Sequence, residues 1–158
     1  MEFETLEYIQ EEKELVQEEI DFPRYGEKST ENAVGINSKE KYLFDINRGR
    51  VHLKKVTLQN RIQKTIILLR LDIGGPPHSN PPIDDEHAPE VLHGPHLHVY
   101  SPEFGDSMAY KLNDPFLNKI NPRFDIEKFN TKSDIELYKS FLEFCNVVNM
   151  PTIIAQFL

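Results

Sequence analysis

Thr65-Ile66-Ile67-Leu68-Leu69-Arg70-Leu71-Asp72-Ile73 is the stretch on which the fold turns. It is almost continuously apolar and β-branched, too short for a typical buried helix, and bounded by turn residues. That pattern, within a strand-like run from Gln63 to Ile73, reads as a central strand covered on both faces, delivering Asp72 to a strand end. Upstream, Tyr42 to Ile46 and Val51 to Leu58 also read as strands, the second with apolar residues at 51, 53, 56 and 58. The breaks at Asn47-Arg48-Gly49 and Gln59-Asn60-Arg61 suit hairpins, so an antiparallel meander is expected.

Downstream, glycines, six prolines and a cluster of acids between Gly74 and Pro95 preclude a regular element. His96-Leu97-His98-Val99-Tyr100 then alternates as a fourth strand. Ser133 with Glu136 makes a capping box that opens a helix running to about Val147, ended by Met150-Pro151. Thr152 to Leu158 is a candidate edge strand. At the other end, apolar residues at 3, 6, 9, 16 and 20 predict a glutamate-covered amphipathic helix from Phe3 to Ile20. Asp21 to Lys41, with Pro23, Gly26 and Gly35, reads as a long loop. The expected class is α+β: a four-stranded antiparallel sheet, five-stranded with the C-terminal edge, carrying N-terminal and C-terminal helices. At 158 residues the chain fits one domain, with residues 1–22 as acidic helix, 23–41 as loop and 42–158 as sheet plus helix.

Cys145 is the single cysteine, so no internal disulfide framework exists, and it lies in an apolar helical pattern that favours packing over nucleophilic chemistry. No basic-then-apolar leader opens the chain, and Ile66 to Leu69 is its longest uninterrupted apolar run. The expectation is a cytoplasmic protein with no membrane span. The net charge of −8 is local: Met1 to Phe22 carries nine acids against Lys13, and the other 136 residues balance at 17 acids and 17 bases. Ile46 to Leu71 holds Arg48, Arg50, Lys54, Lys55, Arg61, Lys64 and Arg70 with no acid, a basic stretch able to meet an anionic partner.

Five of the six histidines (His78, His87, His93, His96 and His98) fall within 21 residues, the strongest functional signal in the chain. His96 and His98 are two apart on a strand, so their imidazoles share a face. Three readings stay open. In the first, metal-free RNA cleavage, His96, His98 and His78 surround the reacting group, one imidazole taking the 2′-hydroxyl proton while Arg50 or Lys54 stabilises the charge on phosphorus. Arg48, Lys54, Lys55 and Arg70 would grip phosphates. In the second, a zinc or other transition-metal site is built from His96 and His98, with His78 or His93 and with Asp72 or Asp84, and activates water. In the third, the pair is simply two buried, hydrogen-bonded histidines. Gly74-Gly75-Pro76-Pro77 lacks the strand-glycine-helix context of a phosphate loop.

Leu68 to Pro81, with its Gly-Pro-Pro-His-Ser-Asn-Pro string, followed by Pro95-His96-Leu97-His98-Val99-Tyr100 and Phe104-Gly105-Asp106, resembles an uncharacterised family of small bacterial and phage-borne proteins. The chain departs from that pattern at Pro82 to His87, where an Asp-Gly turn is more usual, and at Met108, where an aromatic residue is more usual. The resemblance implies relatives without implying an activity. Helices with a basic, histidine-bearing antiparallel sheet are also similar, at the level of topology, to small RNA-cleaving toxins of the barnase and RelE type. The first expectation is therefore a small RNA-acting protein, toxin-like and without a cofactor. The alternatives are a non-catalytic factor that docks a protein partner through its acidic N-terminal helix, and a metal-dependent hydrolase.

Overall fold

A computed structural model of the chain describes residues 5–84, 89–131 and 133–156. In chain order it contains helix α1 (Thr5–Gln10) and strands β1 (Lys13–Leu15), β2 (Glu19–Asp21), β3 (Lys28–Gly35), β4 (Lys41–Arg48), β5 (Val56–Ile62) and β6 (Ile66–Ile73). There follow β7 (His78–Ser79), β8 (Val91–Leu92), β9 (His96–Val99), β10 (Ala109–Lys111), helices α2 (Phe116–Ile120) and α3 (Asp134–Phe144), and β11 (Thr152–Ile154). The α+β class stands, but the sheet is larger than four or five strands. Seven strands run in the order β1-β3-β4-β5-β6-β9-β10, each antiparallel to its neighbours.

Alternation decides what each sheet face does. Phe44, Ile46, Val56, Leu58, Leu69, Leu71, Leu97 and Val99 are buried on one face, under Leu137, Tyr138, Phe141 and Leu142 of α3. Phe44 meets Phe141 edge-on at 6.4 Å. Each such fully buried side chain contributes about 1.5–3 kcal/mol. The helix starts where the sequence places it: the Ser133 hydroxyl accepts from the Glu136 backbone N–H at 3.3 Å. The intervening residues Asp45, Thr57, Gln59, Arg61, Arg70, Asp72, His96 and His98 share the opposite face by strand register. The stretch from Ile66 to Ile73 is thus not covered on both faces, because Arg70 and Asp72 open onto a polar cleft.

The N-terminal helix stops at Gln10, and residues 13–15 pair with β3 instead. Two polar anchors impose the break. The Glu11 carboxylate accepts from the backbone N–H groups of Asn37 and Ser38 at 3.1 and 2.6 Å and from the Tyr42 hydroxyl at 2.6 Å. Gly35 lies against that carboxylate, where any Cβ would collide with it. The fully buried Lys13 ammonium donates to the carbonyls of Ile9, Glu11 and Cys145, closing the ends of α1 and α3 together. No periodicity argument sees either anchor.

The loop expected over residues 21–41 contains the eight-residue β3, whose inward positions Ser29, Glu31 and Ala33 carry no apolar alternation to reveal it. The turn expected at Gln59-Asn60-Arg61 is strand. Asn60 occupies a buried inward position, its amide donating to Leu43 O at 3.3 Å, and the turn moves to Gln63-Lys64, both at positive φ. Val51–Leu53, expected as strand, forms a 3-10 turn at the hairpin tip. The short β10 and α2 lie between Tyr100 and Ser133, outside the expected strands and helices. The C-terminal strand exists over Thr152–Ile154, but it pairs in parallel with β2 in a separate two-stranded sheet; residues 157–158 of the expected span lie outside the described residues. Among the described residues, no helix is long and apolar enough to cross a membrane.

Candidate functional site

The site lies on the polar sheet face where β6 meets β9. Asp72 and Arg70 alternate onto one face of β6, and their cross-strand partners on β9 are His96 and His98. On the other side, β5 places Thr57 opposite Asp72 and Gln59 opposite Arg70. Beyond β6 the chain turns through Gly74, at φ +74 against the Lys54 carbonyl, where a side chain would clash. The Gly-Pro-Pro segment then carries His78 back over the pair. Lys55, Thr57, Gln59, Arg70, Asp72, His78, His96 and His98 line a cleft of about 420 Å³.

The structure brings the imidazoles of His78, His96 and His98 together. His78 stands edge-on to His98 with centroids 4.5 Å apart and stacks on His96 at 5.6 Å, while His96 and His98 are 5.0 Å apart. His96 and His98 are almost fully buried, at 4% and 1% exposure. Each Nδ1 is held by a main-chain carbonyl: Gly94 O for His96 and Asp106 O for His98, both at 2.9 Å. A neutral imidazole that donates from Nδ1 presents a lone pair at Nε2. Both Nε2 atoms lie near one oxygen, Asp72 Oδ2, at 3.4 Å for His96 and 3.2 Å for His98.

Those separations are at or beyond the upper limit for a good N–H···O bond. Two of the three ligand-to-ligand separations thus lie near the edge of a tetrahedron of metal ligands, which is about 3.3–3.4 Å for bonds of about 2.0–2.1 Å. The three donor atoms all lie within 4.8 Å of one another. Carbonyl partners on the remote ring nitrogens are what orient metal-ligating histidines. Burial acts to raise the Asp72 pKa. The contact with His98 and the positive charge of Arg70 outweigh it, and the carboxyl stays below its ordinary value, available as an anionic oxygen. The residues could therefore hold a divalent transition metal. His78 touches both rings, but its Nε2 is engaged with Ser107 O at 2.7 Å and it is not one of the three converging donors.

One cation is already present. Arg70 Nη2 donates to His98 Nε2 at 3.0 Å, its Nε lies 3.3 Å from Asp72 Oδ2, and its Nη1 lies 3.5 Å from Asp106 Oδ2. Asp106 contributes twice, by side chain to Arg70 and by carbonyl to His98. Sequence reasoning gave it no role, since a loop carbonyl leaves no residue-type signal; the positive φ of the adjacent Gly105 is the nearest clue.

The basic stretch disperses. Arg48 is tied to Asp134 at 3.0 Å and to Pro23 O at 2.9 Å, and its guanidinium lies 3.8 Å from the Tyr25 ring centroid, so it joins β4 to the start of α3. Arg61 forks onto Asp45. Arg50 is exposed at the hairpin and does not line the cleft. Lys54 and His93 line a separate cavity of about 800 Å³ between the hairpin tip and α3. Lys55 and Arg70 alone of the expected phosphate-gripping set reach the histidines. His87 lies outside the described residues, and Asp84 lines a third cavity with Asn80 and Tyr110. The acidic segment expected to dock a partner is helical only over Thr5–Gln10 among the described residues.

No curated protein and no solved structure matches the chain. A family profile covers residues 2–147, nearly the whole sequence, and its description is a family of unknown function, in keeping with the uncharacterised relatives that the sequence implied. The chain belongs to that family, DUF6978.

Proposed function

We propose that the chain is a metal-dependent hydrolase whose metal, zinc or a similar divalent transition ion, is held by Asp72, His96 and His98. One observation carries the reading: two buried imidazoles, each anchored through Nδ1 to a backbone carbonyl, hold their Nε2 atoms 3.4 and 3.2 Å from the same carboxylate oxygen, which is ligand-to-ligand spacing. Arg70 already offsets part of the negative potential there, through His98 Nε2 at 3.0 Å and Asp72 Oδ2 at 3.3 Å, and a metal ion held by the three donors would offset it more fully. Three protein ligands leave positions open on the cleft side, where a bound metal would supply an acidified water as nucleophile. The protein's own part is to fix the donors, with the carbonyls of Gly94 and Asp106 setting both tautomers, and to keep the site narrow beneath His78.

Metal-free endoribonuclease chemistry is the second reading, favoured by Arg70 and Lys55 beside three imidazoles. It needs an acid and a base on opposite sides of a phosphorus. Here the Nε2 atoms of His96 and His98 lie beside the same Asp72 oxygen, not apart on two sides of a substrate, which is why we place it second. Titrating cobalt(II) into chelator-treated protein separates the two. The metal reading expects a visible absorption band of low-coordinate cobalt that is lost in H96A/H98A, with hydrolysis of bis(p-nitrophenyl) phosphate or p-nitrophenyl acetate dependent on added metal. An RNase activity that persists in excess chelator and requires His98, with no cobalt band, would overturn it in favour of the second.

A further inference from the structure

We infer that Arg70 and Lys55 form an oxyanion subsite beside the metal position, so that the group the site takes is a phosphoryl group, and that Arg70 changes partners when metal arrives. The inference rests on the metal reading above and deepens it.

His98 Nε2 has a single lone pair, and the Arg70 Nη2–H occupies it at 3.0 Å. A metal bound there requires Arg70 to leave, since a guanidinium N–H and a metal cannot share that lone pair. Arg70 has somewhere to go. Its Nη1 is already 3.5 Å from the Asp106 carboxylate, which is 39% exposed and lies toward solvent, while the Arg70 side chain is itself 29% exposed. A small rotation about a flexible stem exchanges the His98 contact for a closer one with Asp106. The guanidinium then stays at the rim with N–H groups unspent, in the planar geometry that suits two oxygens of a phosphate.

Lys55 is the second cation. It is exposed, lines the same cleft, and has no ion-pair partner among the described residues. Thr57 adds a hydroxyl on the cleft wall between it and Asp72. Charge decides the ligand class. Without metal, the two cations Lys55 and Arg70 are balanced by Asp72 and Asp106, and the cleft has no net attraction for an anion. A divalent metal leaves a surplus of two positive charges, matched by a phosphate monoester dianion and only half met by the single charge of a diester or a carboxylate. Phosphoryl binding is therefore conditional on metal, and metal binding in the absence of anion is opposed by Arg70.

Two variants read these claims separately, R70Q and K55Q, using cobalt(II) alone and then phenylphosphonate, with benzoate as the carboxylate control of like size. R70Q is expected to bind cobalt about tenfold or more tightly than wild type with no anion present. Loaded R70Q and loaded K55Q are each expected to bind phenylphosphonate about tenfold or more weakly, with K55Q unchanged in cobalt affinity. Wild type without metal should not bind phenylphosphonate, and loaded wild type should prefer it to benzoate. Equal cobalt affinity in R70Q and wild type, or equal affinity for the two anions, overturns the inference while leaving the metal site intact. Failure of both wild type and R70Q to bind cobalt overturns the metal reading and the inference together. Should R70Q not fold, judged by circular dichroism, the K55Q and benzoate comparisons still decide the subsite.

Discussion

Replacing Lys13 by methionine tests the physical account of how the two halves of the fold are joined. The ammonium is 0% exposed and donates to the carbonyls of Ile9 at 3.1 Å, Glu11 at 2.8 Å and Cys145 at 2.9 Å, with its charge 4.8 Å from the Tyr42 ring centroid. Burial pushes its pKa down to about 8, against the opposing pull of Cys145 and Glu11, so it is still charged at pH 7. Methionine keeps the length and apolar stem and relieves the several kcal/mol of desolvation that the ion costs. It leaves three carbonyls facing a thioether, each worth about 1–3 kcal/mol when buried unpaired. The balance is a destabilisation of about 3 kcal/mol, or a drop in Tm of roughly 6–12 °C for a chain of this size. Because the chain has no tryptophan, urea unfolding is best followed by far-UV circular dichroism at pH 7. A K13M protein within about 0.5 kcal/mol of wild type would refute the reasoning, since it would mean that the carbonyls find other partners without cost.

Other parts of the structure make separate predictions. Asp45 accepts from Thr30, Gln59 and Arg61 at 2.6–2.8 Å; burial acts to raise its pKa, but those bonds outweigh it and hold the carboxyl low. A pKa depressed on folding adds stability that is present above the unfolded value of about 3.9 and lost as pH falls through the folded one. D45N should therefore flatten the acid limb of stability below about pH 4, and an unchanged limb would contradict that. S133A removes the cap of α3 and should cost about 1 kcal/mol in urea midpoint analysis, with the m-value unaltered. In G35A the added methyl strikes the Glu11 carboxylate, so the variant should lose about 1–3 kcal/mol. Pairing it with E11A should recover part of that loss, and strict additivity would show that the clash is not with Glu11.

What the sequence reveals follows from what periodicity can carry. The cross-sheet core from Phe44 to Val99 and the capped C-terminal helix announce themselves because apolar spacing and a Ser-Glu cap are local signals. The His96 and His98 pair is legible for the same reason, since a two-residue step fixes a shared face. Asp72 becomes a partner of His96 only through the β6–β9 register, a pairing across a loop of more than twenty residues that no spacing rule supplies. β3 escapes notice because its inward side chains are Ser29, Glu31 and Ala33. The helix expected over residues 3–20 fails because polar contacts of Glu11 and Lys13 with distant backbone override a good amphipathic pattern. The basic stretch misleads in the opposite direction: Arg48 and Arg61 look free in sequence, but their carboxylate partners, Asp134 and Asp45, arrive from elsewhere in the chain.

Elemental mass spectrometry of tag-free protein purified without chelator, run beside H96A/H98A, bears most directly on the central claim. The account predicts about one equivalent of zinc or another transition metal per wild-type chain, lost in a double variant that keeps its far-UV circular dichroism. Wild-type protein that carries no metal, and takes up none on incubation with zinc, would contradict it, as would equal metal in the two proteins.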